Sequence, residues 1–337
     1  MTEERRTTRR LVVDPQHPSA KAISEAAVVL RAGGLVAFPT ETVYGLGAHA
    51  LIPAAVRRIF VAKGRPAHNP VIVHVANAKA ARALVTDWPA TAERLARAFW
   101  PGPLTMLLPK REIVPDIVTA SKPTVGVRVP AHPVALALLE SARIPIAAPS
   151  ANRSSKLSPT AGQHVLAGLD GRIDILLDAG RTPGGIESTV VDLTGERAVI
   201  LRPGLITAAE VARVTGPLGE RPREVTGETP MAAPGLLERH YAPRARLELC
   251  GRRQFATRVG AEHKRPVGAV LVGTALDLPP EVQVSVLPED ARQYGALLYA
   301  TLHELDDAGC RTIVVESVPD GEEWDAVRDR LKRASTE

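Results

Sequence analysis

Cysteine is almost missing from this chain, which holds two, Cys250 and Cys310. Two thiols do not make a zinc site. They read as buried thiols rather than a disulfide, in a protein expected to be cytoplasmic. Aromatic residues make up only 3% of the chain, too few for a base-stacking surface. No apolar run reaches the roughly 18 residues that a membrane span needs. The charged opening stretch, Met1 to Arg10, has no apolar core after it, so no secretory signal is expected. Residues 1–18 read as a flexible tail. A large charge excess is absent too. The net charge is +5, and the first ten residues carry +2 of it. A balance so near neutral does not call for a nucleic-acid partner. Walker A, GxGxxG, HExxH and GxSxG patterns are all missing, which disfavours standard P-loop enzymes, zincins and α/β-hydrolases.

What is present is 337 residues, 45% of them apolar, enough for about two domains with real cores. The stretch Val36-Ala37-Phe38-Pro39-Thr40-Glu41-Thr42-Val43-Tyr44-Gly45-Leu46-Gly47 organises the first. The apolar run from Gly34 to Phe38 predicts a short buried strand, and Pro39 ends its ladder for want of an N–H. Polar groups then crowd the strand end, where ligands of α/β sheets sit. Gly45 and Gly47 mark a tight turn or a close approach. Around this stretch strands and helices alternate irregularly. Helices are predicted over 19–32, 53–62, 78–84, 89–99, 133–142, 160–166 and 207–214. Strands are predicted over 69–75, 104–108, 124–129, 145–148 and 173–177, with a hairpin of 188–193 and 198–201. This predicts an α/β fold with a mixed sheet over residues 19–215.

From Gly216 to Pro243 the composition turns to Gly, Pro, Glu and Arg without periodicity, which reads as a linker. Residues 244–337 read as a small α/β domain, with strands over 267–272, 282–286 and 312–315 and helices over 291–308 and 322–333. The linker is too long for an ordinary connection and ends in His240-Tyr241-Ala242-Pro243. It is expected to fold back as a lid, with Tyr241 near a bound ligand.

Several residues have the chemistry for a site. Lys63 and Arg65 flank Gly64 at a helix end. They suit a polyanion, or they complement the helix C-terminus. Arg128 lies among valines, where burial demands an anion, either an internal carboxylate or a ligand carboxylate. Ser150 and Asn152 leave a strand end and suit phosphate or ribose, or cap the next helix. Ser188-Thr189 follows Gly184-Gly185 and reads the same way. His74 sits in an apolar strand, where a core histidine is the ordinary reading. Glu41 and Glu187 are possible acids with no sequence partner.

Taken together, Phe38 to Leu46, Lys63-Gly64-Arg65-Pro66, Asn69-Pro70, Trp100 to Thr105, Arg128-Val129-Pro130, Pro149-Ser150-Ala151-Asn152 and Ser188-Thr189-Val190 resemble the YrdC-type threonylcarbamoyl-adenylate synthases. The paired K-x-R and S-x-N signature falls on Lys63/Arg65 and Ser150/Asn152. The match runs from about Ala20 to Thr207, and His240 to Pro243 with the domain beyond resembles the long, two-domain form.

The resemblance implies a twisted mixed sheet with a deep cavity, followed by a Rossmann-like domain. It implies that L-threonine, bicarbonate or CO2, and ATP with Mg²⁺ give threonylcarbamoyl-adenylate and pyrophosphate. The product would pass to partner proteins that modify adenosine 37 of tRNAs reading ANN codons. By the same resemblance Lys63 and Arg65 would hold phosphates. Asn69, Thr124, Ser150, Asn152, Ser158, Arg202 and Tyr241 would line the nucleotide side. Arg128 would hold the threonine carboxylate, with Thr40, Thr42, His74 and Ser188 around it. No protein ligand for Mg²⁺ is identified. The rival readings are an RNA-binding module, against which charge and aromatic content count, and a carbamoyl transferase, whose zinc-finger and acylphosphatase segments are not found.

Overall fold

The computed structural model describes residues 7–66, 68–220, 241–262 and 266–335. The first domain is built on ten strands. In chain order they are β1 Arg9–Val12, β2 Val36–Phe38, β3 Gly45–His49, β4 Val73–His74, β5 Leu104–Pro109, β6 Thr124–Arg128, β7 Ile146–Ala147, β8 Ile175–Asp178, β9 Thr189–Asp192 and β10 Val199–Arg202. They lie in the order β1-β8-β2-β3-β7-β4-β6-β5-β9-β10. Parallel pairs such as β4 with β6 alternate with antiparallel ones such as β2 with β3, so the sheet is mixed as expected.

Helices cover the sheet. Helix Ala20–Arg31 buries Ile23, Ala26, Ala27 and Leu30, an i, i+3, i+4, i+7 stripe. That stripe shares one core with Val134, Ala135, Leu138 and Leu139 of helix Pro133–Ala142. The larger core joins helix Pro53–Lys63 to β3, β4, β5 and β6 through Val56, Ile59, Leu46, Val73, Met106 and Val127. Helix Ala208–Thr215 opens with a reciprocal cap between Thr207 and Glu210.

Two expectations need correction, and a third resolves to one of its two alternatives. Residues 9–12 are not tail. They form the edge strand β1, held by the parallel ladder to β8 and by Arg10 Nε on Asp178 Oδ2 at 2.8 Å. Four mostly exposed residues with two arginines leave no apolar pattern to read. Gly45 and Gly47 do not turn the chain; they lie within β3. Gly47 is there for close approach, since a Cβ would fall 2.8 Å from Ile146 Cγ2 and 2.9 Å from Phe38 Cε1. The strand expected over 69–75 is regular only at Val73–His74.

The second domain is a four-stranded parallel sheet. Its strands are β11 Arg246–Cys250, β12 Val267–Val272, β13 Gln283–Leu287 and β14 Thr312–Glu316, in the order β11-β14-β12-β13. The sequence reading missed β11 and helix Arg252–Gly260. Each has a sparse apolar signal, with only Leu247 buried in the one and Phe255 and Val259 in the other. Helix Ala291–Asp307 is capped by Asp290 and carries Tyr294, Leu298, Tyr299 and Leu302 on its buried face. These pack with Tyr241 and with Val43, Leu157 and Ile186 of the first domain in one shared core. Of the linker, residues 221–240 lie outside the described residues.

Candidate active site

The turn after β2 is set by Thr40. Its Oγ1 donates to Val43 O at 2.7 Å and accepts from Thr42 N at 3.2 Å, a hydroxyl-closed turn. The two threonine hydroxyls then stand 2.8 Å apart. Thr40 and Thr42 line a cleft with Val43, Tyr44, Arg65, His74, Arg128, Ser150, Glu187, Ser188, Arg202 and Tyr241. The cleft encloses about 50 Å³. The deep cavity expected by resemblance is here a narrow cleft, drawn together by the polar contacts across it.

Arg128, at the end of β6, resolves its two alternatives in part. Its Nη2 donates to Glu41 Oε1 at 2.6 Å and to Thr42 Oγ1 at 3.1 Å. The other Glu41 oxygen accepts from Ala131 N at 3.0 Å. An internal carboxylate therefore holds one nitrogen of the guanidinium. Its Nε is buried and has no partner among the described residues. His74 is the register partner of Arg128 on β4. Its Nδ1 is likewise buried and unpartnered among the described residues. Burial, and then the charge of Arg128, push its pKa down to about 3, so the ring is neutral. His74 also lines the cleft.

Arg65 Nη2 donates to Asn69 Oδ1 at 2.5 Å and to Pro70 O at 2.7 Å. Burial is the main force that pushes its pKa down to about 10, which leaves it a cation at neutral pH. Asn69 Nδ2 has no partner among the described residues. Arg202 clasps Ser188, with Nη2 2.9 Å from Ser188 O and 3.2 Å from its Oγ. Ser188 Oγ also lies 2.8 Å from Thr105 Oγ1.

Lys63 stands behind the cleft wall. Gly64, at φ +62°, ends the helix and lets the chain double back. Lys63 Nζ then reaches Ser150 O at 2.6 Å, Asn152 O at 2.5 Å and Asn152 Oδ1 at 3.2 Å. Burial, then Arg65 and Arg153, hold its pKa well below the usual lysine range. The signature lysine and the signature Ser-x-Asn loop are thus physically joined. Ser150 Oγ donates to Asn152 Oδ1 at 2.6 Å, and Asn152 Nδ2 to Lys156 O at 2.6 Å. Neither Ser150 nor Asn152 caps a helix.

Ser158 is also one layer back, its Oγ 2.5 Å from Glu187 Oε1. Thr124 is not brought to the cleft. It begins β6 opposite Pro109 and lines a separate depression with Thr119 and Lys122. Tyr241 is 1% exposed, and its Ala242 neighbour pairs with Ser155 O at 3.1 Å.

The sequence reading missed the groups that arrive from the second domain. Arg330 Nε meets Glu187 Oε2 at 2.7 Å, and Tyr299 OH meets the same oxygen at 3.4 Å. No spacing links residues more than a hundred positions apart. Among the described residues no group of three or more His, Cys, Asp or Glu is arranged to hold a metal ion. No helix among them is long and apolar enough to cross a membrane.

Residues 28–204 match the Sua5–YciO–YrdC family model, described as telomere recombination. Residues 206–336 match the model of the threonylcarbamoyl-AMP synthase C-terminal domain. The threonylcarbamoyl-AMP synthase of Pyrococcus abyssi is 42% identical, over 92% of this chain and 93% of that protein. The Bacillus subtilis protein of the same name is 39% identical, over 96% of both. The Schizosaccharomyces pombe one is 35% identical, over 96% of this chain and 90% of its own. A crystal structure of the Pyrococcus abyssi Sua5 protein complexed with L-threonine matches with a TM-score of 0.91 and 41% identity, covering 97% of this chain and 98% of that one.

Proposed function

Because this chain belongs to the threonylcarbamoyl-AMP synthases, in their two-domain form, we propose that the cleft around Arg128, Arg65 and Arg202 is where its substrates L-threonine and ATP meet. The activity is a nucleotidyl transfer that makes threonylcarbamoyl-AMP for t6A modification of tRNA. The observation that carries the placement is a pair of buried polar atoms on cleft-lining residues, Arg128 Nε and His74 Nδ1, that have no partner among the described residues. Leaving such a group unpaired costs about 1–3 kcal/mol. A threonine carboxylate on Arg128 Nε and its polar end on His74, Thr40, Thr42 and Ser188 would remove that cost.

The nucleotide then lies toward Arg65 and Arg202. Asn69 and Ser158 support that wall, and Tyr241 covers it at the end of the linker. Lys63 acts there by fixing Ser150 and Asn152. Thr124 has no part in this arrangement.

The chemistry asks for positioning and charge neutralisation rather than a strong base. Threonine nitrogen takes up CO2 with loss of a proton, or bicarbonate with loss of water, to give an N-carboxy-threonine. Its new carboxylate attacks the α-phosphorus, and the bond to pyrophosphate breaks. Arg65 and Arg202 are preorganised cations for the charge that develops. The wall offers cations rather than a carboxylate set, so Mg²⁺ would enter as part of the ATP substrate. The labile product would pass to transfer proteins that act on the tRNA.

The test is incubation with threonine, bicarbonate and ATP, reading pyrophosphate and the adenylate by mass spectrometry. Pyrophosphate should require both threonine and bicarbonate. Phosphate release, or indifference to threonine, rejects the assignment.

A further inference from the structure

A carboxylate on the wall of an anion-binding cleft is a liability. Glu187 is such a group. It lines the same cleft as Arg65 and Arg202 and is 6% exposed. An ionised Glu187 free to turn inward would pair with those arginines and compete with a polyphosphate. Something must keep its charge turned away and neutralised.

The counter-charge that pairs with Glu187 comes from the second domain. Arg330, on helix Asp325–Ala334, is fully buried, and its Nε meets Glu187 Oε2 at 2.7 Å. The same guanidinium makes three further contacts. Its Nη2 donates to Pro203 O at 3.1 Å, next to Arg202. Its Nη1 meets Asp329 Oδ2 at 2.6 Å. Its carbon lies 5.2 Å from the centre of the Tyr241 ring. Tyr299 OH and Ser158 Oγ also donate to Glu187, at 3.4 Å and 2.5 Å. One side chain thereby ties together the segment before Ser188, the segment after Arg202 and the ring of Tyr241.

We infer that Arg330 is a positioning residue, through which the second domain holds the charge of Glu187 out of the nucleotide side of the cleft. The role needs an arginine. A lysine at this place makes no planar fork to span Glu187, Pro203 and Asp329 together. Removing the guanidinium would leave a buried carboxylate without its counter-charge, on the wall of a cleft that Arg202 and Arg65 also line. Docking of the second domain is then a condition for ATP affinity, although that domain donates no atom to ATP.

This inference rests on ATP being the ligand of the cleft, and a double-mutant cycle on the full chain separates the two claims. Binding of MgATP is measured by calorimetry for wild type, Arg330→Met, Glu187→Gln and the double variant, with thermal melts alongside. Arg330→Met should weaken MgATP about 10-fold or more, the scale of truncating one partner of a buried charge pair. In the Glu187→Gln background the same change should cost less than about 3-fold, because no stranded charge remains. A merely structural Arg330 would weaken binding in both backgrounds alike. Equal losses in the two backgrounds, or wild-type affinity in Arg330→Met, overturn the inference. If Arg330→Met does not fold, Arg330→Gln, which also removes the charge, takes its place in the cycle and is judged by the same two outcomes. Failure of the wild-type chain to bind MgATP rejects the functional reading instead.

Discussion

Arg128 Nη2 meets Glu41 Oε1 at 2.6 Å, while Arg128 Nε has no partner among the described residues. Glu41 is pinned in turn by Ala131 N at 3.0 Å. The carboxylate orients the arginine without consuming it. Arg128→Ala should therefore raise the threonine KM about 10- to 100-fold, the scale of one charged hydrogen bond, and change the ATP KM far less. Glu41→Gln should raise the threonine KM by a smaller factor, since it loosens the arginine and keeps its charge. Steady-state kinetics in each substrate check both. Unchanged threonine KM in Arg128→Ala would leave the ion pair as its whole purpose.

Lys63 and Arg65 should fail in different ways. Arg65→Ala removes a cation on the cleft wall and should cost roughly 10²-fold in turnover, the scale of losing a preorganised donor. Lys63→Met removes the group that binds Ser150 O and Asn152 O. It should lower activity by a similar factor and also lower the melting temperature, because two carbonyls lose their donor at about 1–3 kcal/mol each. Activity and melting temperature both at wild-type values in Lys63→Met would reduce the lysine to a helix-end charge.

The second domain should loosen in acid. His164 and His303 stack face to face across the domain boundary, ring centres 3.9 Å apart. Burial, then His303 and Arg181, push His164 down to about 3. Burial likewise lowers His303, against the opposing effect of Ser158 O, Asp306 and Asp307. The unfolded chain takes up these protons below about 6.5 and the folded one refuses them, so stability falls as pH drops through that window. Each such group contributes a slope of up to about 1.4 kcal/mol per pH unit. His164→Gln should flatten the melting-temperature profile between pH 7 and pH 5. His74, also pushed down to about 3, keeps its own share in that variant. A profile identical to wild type would refute this.

Gly185 should tolerate no side chain. It sits at φ +72°, and a Cβ there would lie 2.3 Å from Gly295 O and 2.5 Å from Ala296 Cα of the docking helix. Neither backbone atom can rotate away. Gly185→Ala should cost about 1–3 kcal/mol, as overpacked sites do, and should lower ATP affinity with it. A wild-type melting curve would show that the boundary gives way freely.

Tyr241 needs a different substitution from the one its place in the linker suggests. A loop residue is expected to shorten to alanine without loss of stability. The ring is instead buried against Tyr299, at 5.9 Å, and Arg330. Tyr241→Ala should therefore destabilise by about 3–5 kcal/mol, as other buried aromatic truncations do. Tyr241→Phe keeps the ring and tests the hydroxyl alone. Retained stability in Tyr241→Ala, read by thermal melt, would show that the ring is dispensable to the core.

The sequence by itself determined the helices with a full apolar stripe, such as Ala20–Arg31 and Pro133–Ala142, and the strands that are almost wholly apolar, such as Leu104–Pro109 and Val267–Val272. Their periodicity is a local property, and local properties are written in consecutive residues. It also marked Arg65, Arg128, Ser150 and Ser188, because a cation or hydroxyl placed at a strand or helix end is itself a local anomaly, whereas Arg202 entered only through the family resemblance. Tertiary structure alone decided what those groups do. It set Lys63 on the Ser150–Asn152 loop instead of in the cleft, and it gave Arg128 an internal partner in Glu41. It moved Thr124 to another depression and brought Arg330 to Glu187. Each of these joins residues far apart in the chain, or separates residues the motifs list together. Only the packing of sheet, helices and second domain fixes such distances, since a charge finds its partner through space and not along the backbone.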